Sequence, residues 1–405
     1  MTRLAFSLIR EGVFSFRGYK LVFVDVVDDT FTFTFEGKRK TSDCPQCGKR
    51  CTRFEETHTR FARDLDAWGS KTFLIFPQRR IQCKCGYRGM EKLEFIDPYC
   101  RCTKRMEEYV FMLCKIMTVY DAAELVKLSW HTVKNIDKKH INKLTVGLAQ
   151  ANPLRIGVDE VAYQKGHNYL TIVRDIDLGK VIWVGFSRTK ETLDSFFREL
   201  GPIKSRAIQV AVVDMWDPYI ASVKEHTDAD IVFDKFHISK KVNEALDSVR
   251  KQEFAQADPE ERKEMKHKRF LILARNKNIE EEKREELDTL LKQNETLSKA
   301  YLLKEQVLNI LDETELEIAL KRLKKWMHNV TKSGIIAYDK VVNTLQHYLY
   351  GVLNYFKHHL TNAASEAINN KINVIKRRAY GFRDLEYFKL KIIQLCGVTN
   401  PTNQR

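Results

Sequence analysis

The 405-residue sequence predicts a multidomain α+β fold: an α/β domain on a mixed five-stranded sheet, interrupted by an all-helical insertion and preceded by two small modules. Three observations predict it. The run Ile208-Gln-Val-Ala-Val-Val is continuously apolar, as strands covered on both faces are, and it ends at Asp214, where open α/β sheets place their ligands. The hydrophobic period shifts between two and 3.6 along the chain, which marks separate modules. Between about 245 and 340 no strand pattern survives.

Composition narrows the partners. Lys and Arg total 69 against 54 Asp and Glu, a net charge of +15, which favours a polyanion, most simply nucleic acid. The apolar runs are strand-length, and the opening Met1–Arg10 is too short for a secretory or membrane segment, so a soluble cytoplasmic protein with no membrane partner is expected. Nine cysteines in a reducing compartment point to metal ligation or buried thiols rather than disulfides.

Residues 1–40 alternate apolar and polar over Lys20–Val27 and Phe31–Phe35 around Asp28-Asp29, a hairpin pattern. Residues 41–98 carry Cys44-Pro-Gln-Cys47-Gly48 and, beyond a strand-rich stretch, Cys83-Lys-Cys85-Gly86. Two cysteine knuckles at that separation form one structural tetrahedral Zn²⁺ site, a zinc ribbon, with Cys51, Cys100 and Cys102 as alternatives for one ligand. Residues 99–150 turn helical. Met106, Val110, Leu113, Cys114 and Met117 make one stripe, Tyr120–Lys127 a second helix, and Trp130–Lys139 a basic third after a break at Leu128-Ser129. That is helix-turn-helix order, with His131, Thr132, Lys134 and Asn135 facing double-stranded DNA.

Residues 151–244 read as strands Arg155–Tyr163, Tyr169–Ile176 and Val181–Phe186, a helix Lys190–Gly201, the strand ending at Asp214, a helix, and a strand Asp230–Phe233. The order β-β-β-α-β-α-β-α is that of a ribonuclease-H-like domain. Residues 245–340 form the helical insertion, whose alternating charges are solvated faces. Within it Trp326, amid Lys324, Lys325 and His328, is either a core residue or a platform for a splayed base. Residues 341–405 complete the α/β domain. On the helix after Ala363, Ile368, Ile372 and Ile375 share one face while Glu366, Asn370, Asn373 and Arg377 line the other, at about 100° per residue.

Three carboxylates stand out by context: Asp159, Asp214 and Glu366. Oxygen donors suit a hard cation, Mg²⁺ or Mn²⁺, and two ions about 3.5–4 Å apart support in-line phosphoryl displacement. Lys371, Lys376, Arg377, Arg378 and Arg383 would hold phosphates nearby.

The chain resembles the DDE-class insertion-sequence transposases of the bacterial ISL3 family. The resemblance rests on Cys44 to Gly48, Gly157-Val-Asp-Glu160 with Gly166-His-Asn-Tyr169, Val213-Asp-Met-Trp-Asp-Pro-Tyr219, Asp234-Lys-Phe-His237 and Asn369 to Arg383. It implies that Asp159, Asp214 and Glu366 are the metal-binding triad, that the ribbon and helix-turn-helix bind terminal inverted repeats, and that strand cleavage and 3′-hydroxyl transfer follow. It also implies a nucleoid-associated protein acting as a dimer or larger assembly on transposon-end and target DNA, and a phosphate-orienting or proton-transfer role for His237. A helix-start histidine bonded to Asp234 is the other reading of His237. Two other functions fit the residues: a catalytically inactive sequence-specific DNA-binding regulator, and a structure-selective nuclease of the junction-resolvase type.

Overall fold

The structure, a computed structural model, describes residues 16–144, 150–164, 166 and 168–397. The expectations for Met1–Arg10, Lys165 and His167 lie outside these residues. The chain divides into two compact units, Met1–Lys143 and Leu144–Arg405.

The first unit begins with the expected hairpin, β1 (Tyr19–Val27) and β2 (Thr30–Gly37). Asp28 and Asp29 both sit at positive φ, 42° and 57°, the backbone a two-residue turn of matching twist requires. The hairpin is not a separate element. β2 pairs in parallel with β6 (Ser70–Gln82), which pairs antiparallel with β5 (Phe54–Ala67), and β7 (Arg88–Met90) joins β6. One sheet therefore spans the expected 1–40 and 41–98 modules, because the buried faces of Phe33, Phe35, Leu74 and Phe76 are one core. The short strands β3 (Ser42–Asp43) and β4 (Arg50–Cys51) carry the first knuckle.

Helices α1 (Lys104–Ile116), α2 (Val119–Val126) and α3 (Trp130–Leu144) follow. Thr103 and Thr118 cap the first two by accepting from Met106 and Asp121 N–H groups. Lys127 ends α2 in the left-handed region (φ 51°), and Ser129 Oγ accepts from Thr132 N at 3.2 Å to start α3. Met106, Val110, Leu113, Val126, Val133 and Ile136 close the core between them.

The second unit is built on a sheet in the order β10-β9-β8-β11-β12, with β8 (Arg155–Gln164), β9 (Asn168–Asp175) and β10 (Lys180–Phe186) antiparallel, and β11 (Val210–Val213) and β12 (Asp230–Phe233) parallel to β8. It is the expected mixed five-stranded sheet. One face is covered by α4 (Lys190–Leu200), α5 (Pro202–Arg206) and α6 (Asp217–His226), with α7 (Lys235–Gln256) following β12.

The helices α8 (Pro259–Met265), α9 (Arg269–Leu273), α10 (Glu281–Gln293), α11 (Glu295–Ile310), α12 (Leu316–Ser333), α13 (Ile336–His347) and α14 (Leu349–His358) come next. Positions 245 and 340, the expected bounds of the helical insertion, fall inside α7 and α13 rather than in linkers. Leu287, Leu290, Leu297, Leu308 and Leu311 are buried in one apolar cluster with Val210–Val213. These leucines are therefore used inside this chain. Trp326 is core as well: it is 2% exposed and its Nε1 donates to Leu303 O at 2.8 Å, which removes it from the candidate DNA contacts.

Finally α15 (Ala363–Arg378) and α16 (Leu385–Cys396) cover the other face, where Ile372, Ile375, Phe388 and Ile392 pack on Val161, Leu170 and Ile172. Gly157 positions this layer. A Cβ there would lie 2.8 Å from Arg174 Nε and 3.1 Å from Asn362 Oδ1, and Arg174 has no slack because it is pinned by hydrogen bonds to Asn362 and Ser365. Gly157→Ala is expected to lower unfolding free energy by about 1–3 kcal/mol in urea denaturation, the usual cost of overpacking; a neutral effect would show that Arg174 is free to move.

Candidate active site and metal centre

Register brings two of the three acids together. Val212 pairs with Gly157 between parallel strands β11 and β8, so two residues further on Asp214 comes level with Asp159. Asp159 accepts from the Glu160 N–H at 2.8 Å and from Asn369 Nδ2, on α15, at 2.8 Å. Burial, and then the Asp214 charge, push its carboxyl up to about 6. His237, in the first turn of α7, places Nε2 2.7 Å from Asp214 Oδ1, a close ion contact without well-aligned hydrogen-bond geometry. Burial alone would lower this imidazole; the Asp214 carboxylate, with Asp234 and Asp159 beyond it, raises it above its ordinary value. The side chain thus faces Asp214, and the alternative bond from His237 to Asp234 is only a backbone one, N–H to Asp234 O at 3.1 Å.

Asp234 has a different task. Its Oδ1 caps α7 by accepting from Phe236 N at 2.9 Å, and its Oδ2 accepts from Asn362 N at 2.6 Å, at the start of α15. Arg174, 2% exposed, meets the same segment: Nη2 donates to Asn362 Oδ1 at 2.7 Å and Nε to Ser365 Oγ at 2.8 Å.

Glu366 stands exposed in the first turn of α15, and the side chain that α15 delivers to Asp159 is Asn369. Among the described residues only four cysteines form a group of three or more potential ligands within 4.8 Å of one another, so the three acids do not converge that closely. Like charges resist such convergence, and the Asp159 oxygens already have partners. The donors around Asp159 still fit a hard cation. They are all oxygens or a neutral amide, and Asn369 Oδ1 is buried with no hydrogen-bond partner among the described residues. Sequence reading missed Asn369, Asn362, Ser365 and Arg174. The one signal available was Gly157, since a glycine inside a strand marks a close approach.

The cysteines fit zinc. Cys44 Sγ lies 3.7 Å from Cys85 Sγ and Cys47 Sγ 3.6 Å from Cys83 Sγ, close to the edge of about 3.8 Å that a tetrahedron with Zn–S bonds near 2.3 Å requires. Backbone N–H groups turn toward three of the sulfurs, those of Cys44, Cys83 and Cys85. The Cys85 N–H brings Cys83 down to about 6, and against the effect of burial the N–H groups of Cys47 and Gln46 hold Cys44 below its ordinary range. Cys85 thus sits in the set despite its short spacing. Cys51 is buried beside it as an apolar neighbour, while Cys100 accepts from Lys139 Nζ at 3.5 Å and Cys102 lies in the helical core.

On α3, His131 and Asn135 are exposed one turn apart, Lys134 Nζ lies 4.9 Å over the Trp130 ring, and Thr132 Oγ1 is held 2.8 Å from Ser129 Oγ. On α15, Lys371 and Lys376 donate to the Leu395 and Ala162 carbonyls, and Arg377 and Arg378 are exposed, as is Arg383 in the connection that follows the helix. No helix among the described residues is long and apolar enough to cross a membrane.

Comparison with known proteins covers the whole arrangement. Residues 156–392 match a DDE "Transposase" family model, residues 91–141 the "Helix-turn-helix domain of transposase family ISL3", and residues 40–85 the "zinc-finger of transposase IS204/IS1001/IS1096/IS1165". The chain is 33% identical over 392 residues to the transposase for insertion sequence element IS1001 of Bordetella parapertussis, covering 95% of this chain and 97% of that one. It is 25% identical over 389 residues to the transposase for insertion sequence element IS1557 of Mycobacterium tuberculosis, covering 87% and 86%.

Two expectations follow. Purified protein should hold one tight equivalent of zinc by atomic absorption, Cys47→Ser or Cys85→Ser should lose it, and Cys51→Ser should keep it; zinc retained by both ligand variants would refute the four-cysteine set. An acid whose pKa is raised in the fold lowers stability once ionised, so at pH 7 without added Mg²⁺ Asp159→Asn should be more stable than wild type by on the order of 1–3 kcal/mol. That corresponds to a rise of roughly 2–4 °C per kcal/mol in a thermal melt, and a fall instead would show that Asp159 is not repelled.

Proposed function

The chain belongs to the ISL3 family of insertion-sequence transposases, and from that premise we propose that it binds the terminal inverted repeats of its own element, cleaves there, and joins the freed 3′-hydroxyls to target DNA. The observation that carries this reading is the Asp159–Asp214 pair, level on adjacent parallel strands, with His237 against Asp214. We read residues 151–244 with 341–405 as a ribonuclease-H-like catalytic domain split by the helical insertion, residues 41–98 as the ribbon module and 99–150 as the helix-turn-helix.

In this reading Asp159, Asp214 and Glu366 would hold two Mg²⁺ or Mn²⁺ ions, whose chemistry would be to activate the attacking oxygen and stabilise the leaving one. Glu366 lies one helical turn before Asn369, which already touches Asp159, so in this reading the third carboxylate would come from the same helix. Asn369 holds Asp159 in place and supplies the neutral oxygen beside it. His237, its proton favoured by Asp214, orients that carboxylate and offers a donor to a phosphate oxygen. Arg377, Arg378 and Arg383, with Lys371 and Lys376 behind them, neutralise the backbone of the DNA, while His131, Asn135, Lys134 and Thr132 present the recognition helix to the major groove. Two ends must be held at once, so a dimer or larger assembly on DNA in the bacterial cytoplasm is expected.

Asp214→Ala should abolish metal-dependent nicking of a duplex carrying the inverted repeat, by at least about 10³-fold, while band-shift affinity for the same duplex changes less than about threefold. Nicking retained by that variant would refute the triad. Wild-type protein that binds the repeats and never nicks them would be a DNA-binding regulator, and cleavage without joined products would indicate a structure-selective nuclease.

A further inference from the structure

A group of side chains that the acid pair does not use stands directly beside it. The Arg188 guanidinium lies 4.2 Å from the Tyr169 ring centroid and 4.8 Å from that of Trp216. Trp216 Nε1 donates to Arg188 O at 3.1 Å, and Arg188 Nη1 reaches Glu160 Oε1 at 3.5 Å. These residues come from separate strands or the segments just after them, yet lie near the acids in the chain or the sheet: Trp216 is two residues past Asp214, Glu160 follows Asp159, and Tyr169 pairs with Ala162 of β8.

The backbone beneath is held in an unfavourable shape. Ser187, with φ 83°, occupies a region that side chains other than glycine avoid. It is fixed there because its N–H donates to Tyr169 O at 2.8 Å and its carbonyl accepts from Thr171 Oγ1 at 2.7 Å. With that hydroxyl proton committed, the 2.7 Å contact between Thr171 and the buried Tyr219 Oη is a bond that Tyr219 donates. Strain retained by so many bonds belongs where geometry serves a purpose.

What the arrangement presents outward is an indole. Trp216 is 37% exposed although its N–H is satisfied, so an apolar face stands open with a cation fixed against it. A flat π surface beside a positive charge is what a nucleobase recognises on a strand that has left the double helix, and every base has such a face. Glu160 offsets part of the Arg188 charge, so Arg188 serves mainly to hold the ring, and contact with DNA falls to Trp216.

We propose that Trp216 stacks on the base next to the phosphate under attack, holding the cleaved strand end at the Asp159–Asp214 pair, and that Arg188 is the positioning residue that keeps the indole in place. This rests on the reading of that pair as the centre of DNA strand chemistry. The stack gives the enzyme a sequence-tolerant grip on one unpaired nucleotide, separate from the sequence-reading helix of the first unit.

The test uses the full-length protein and duplexes of the DNA flanking its coding region, with 2-aminopurine placed singly at each position around the cut. Wild type should quench 2-aminopurine emission at one or two positions. Trp216→Ala should restore that emission and slow nicking by roughly 5- to 150-fold, with band-shift affinity for the ends unchanged. Trp216→Phe should keep most of the quench, which guards against a folding defect in the alanine variant, and Arg188→Ala should weaken the quench without abolishing end binding. The proposal is overturned by normal nicking with equal quench in wild type and Trp216→Ala, or by no quenched position in an actively nicking wild type. Absence of nicking by wild type would sink instead the reading of the acid pair on which this one stands.

Discussion

The second unit depends on how the start of α15 is tied down. This helix arrives after a long helical excursion, and its first turn must return to the sheet in one fixed position for Asn369 to reach Asp159. Two buried charges do this from opposite sides: Arg174 of β9 grips Asn362 and Ser365, and Asp234 grips the Asn362 N–H while capping α7. Burial lowers the Arg174 pKa, and Asp159 and Asp234 hold it up, so the cation and the acids share one low-dielectric region. Removing either side would leave an uncompensated buried charge, the costliest kind of defect. Gly157 makes the clamp possible by leaving the space over β8 through which the guanidinium passes.

The same region explains why the acids sit where stability would not place them. Asp159 is partly buried and faces a like charge, Glu160 is pushed up by burial and by Asp214, and His237 gains a proton's stability from the neighbours that destabilise one another. Such an arrangement is unfavourable for folding and favourable for gathering cations. Its cost is carried by the apolar cluster that runs from β11 and β12 through α7 into the insertion helices. The insertion is thereby part of the scaffold. Its Lys304, fully buried, is bonded to the Ile272 and Ala274 carbonyls, and its Trp326 fills the space between helices.

In the first unit the equivalent constraint is the thiol set: four thiols at tetrahedral spacing, placed so that a bound zinc would tie the two knuckles together over a small apolar cluster. The long hairpin of β5 and β6 then carries both the ribbon and the helices. Asp64, fully buried on β5, accepts from Thr103 Oγ1 at 2.6 Å and from Arg105 Nε at 2.7 Å, which fixes the N-terminus of α1 to the sheet.

Much of this was written locally. Alternation, a continuous apolar run and helical period revealed every strand of the central sheet and the buried stripe of α15, since burial on one face or both leaves its mark on the sequence itself. Asp214 was legible because an acid ending an apolar strand breaks a pattern, and Cys44 and Cys47 because their spacing is short. What sequence left open was everything set by approach in space. The β1–β2 hairpin joined the ribbon sheet, Cys85 rather than Cys51 completed the thiol set, Trp326 went to the core, and Asn369 rather than Glu366 met Asp159. These depend on register and on a clamp between residues far apart in the chain, and no local spacing encodes which of two neighbouring side chains on a helix turn reaches a strand.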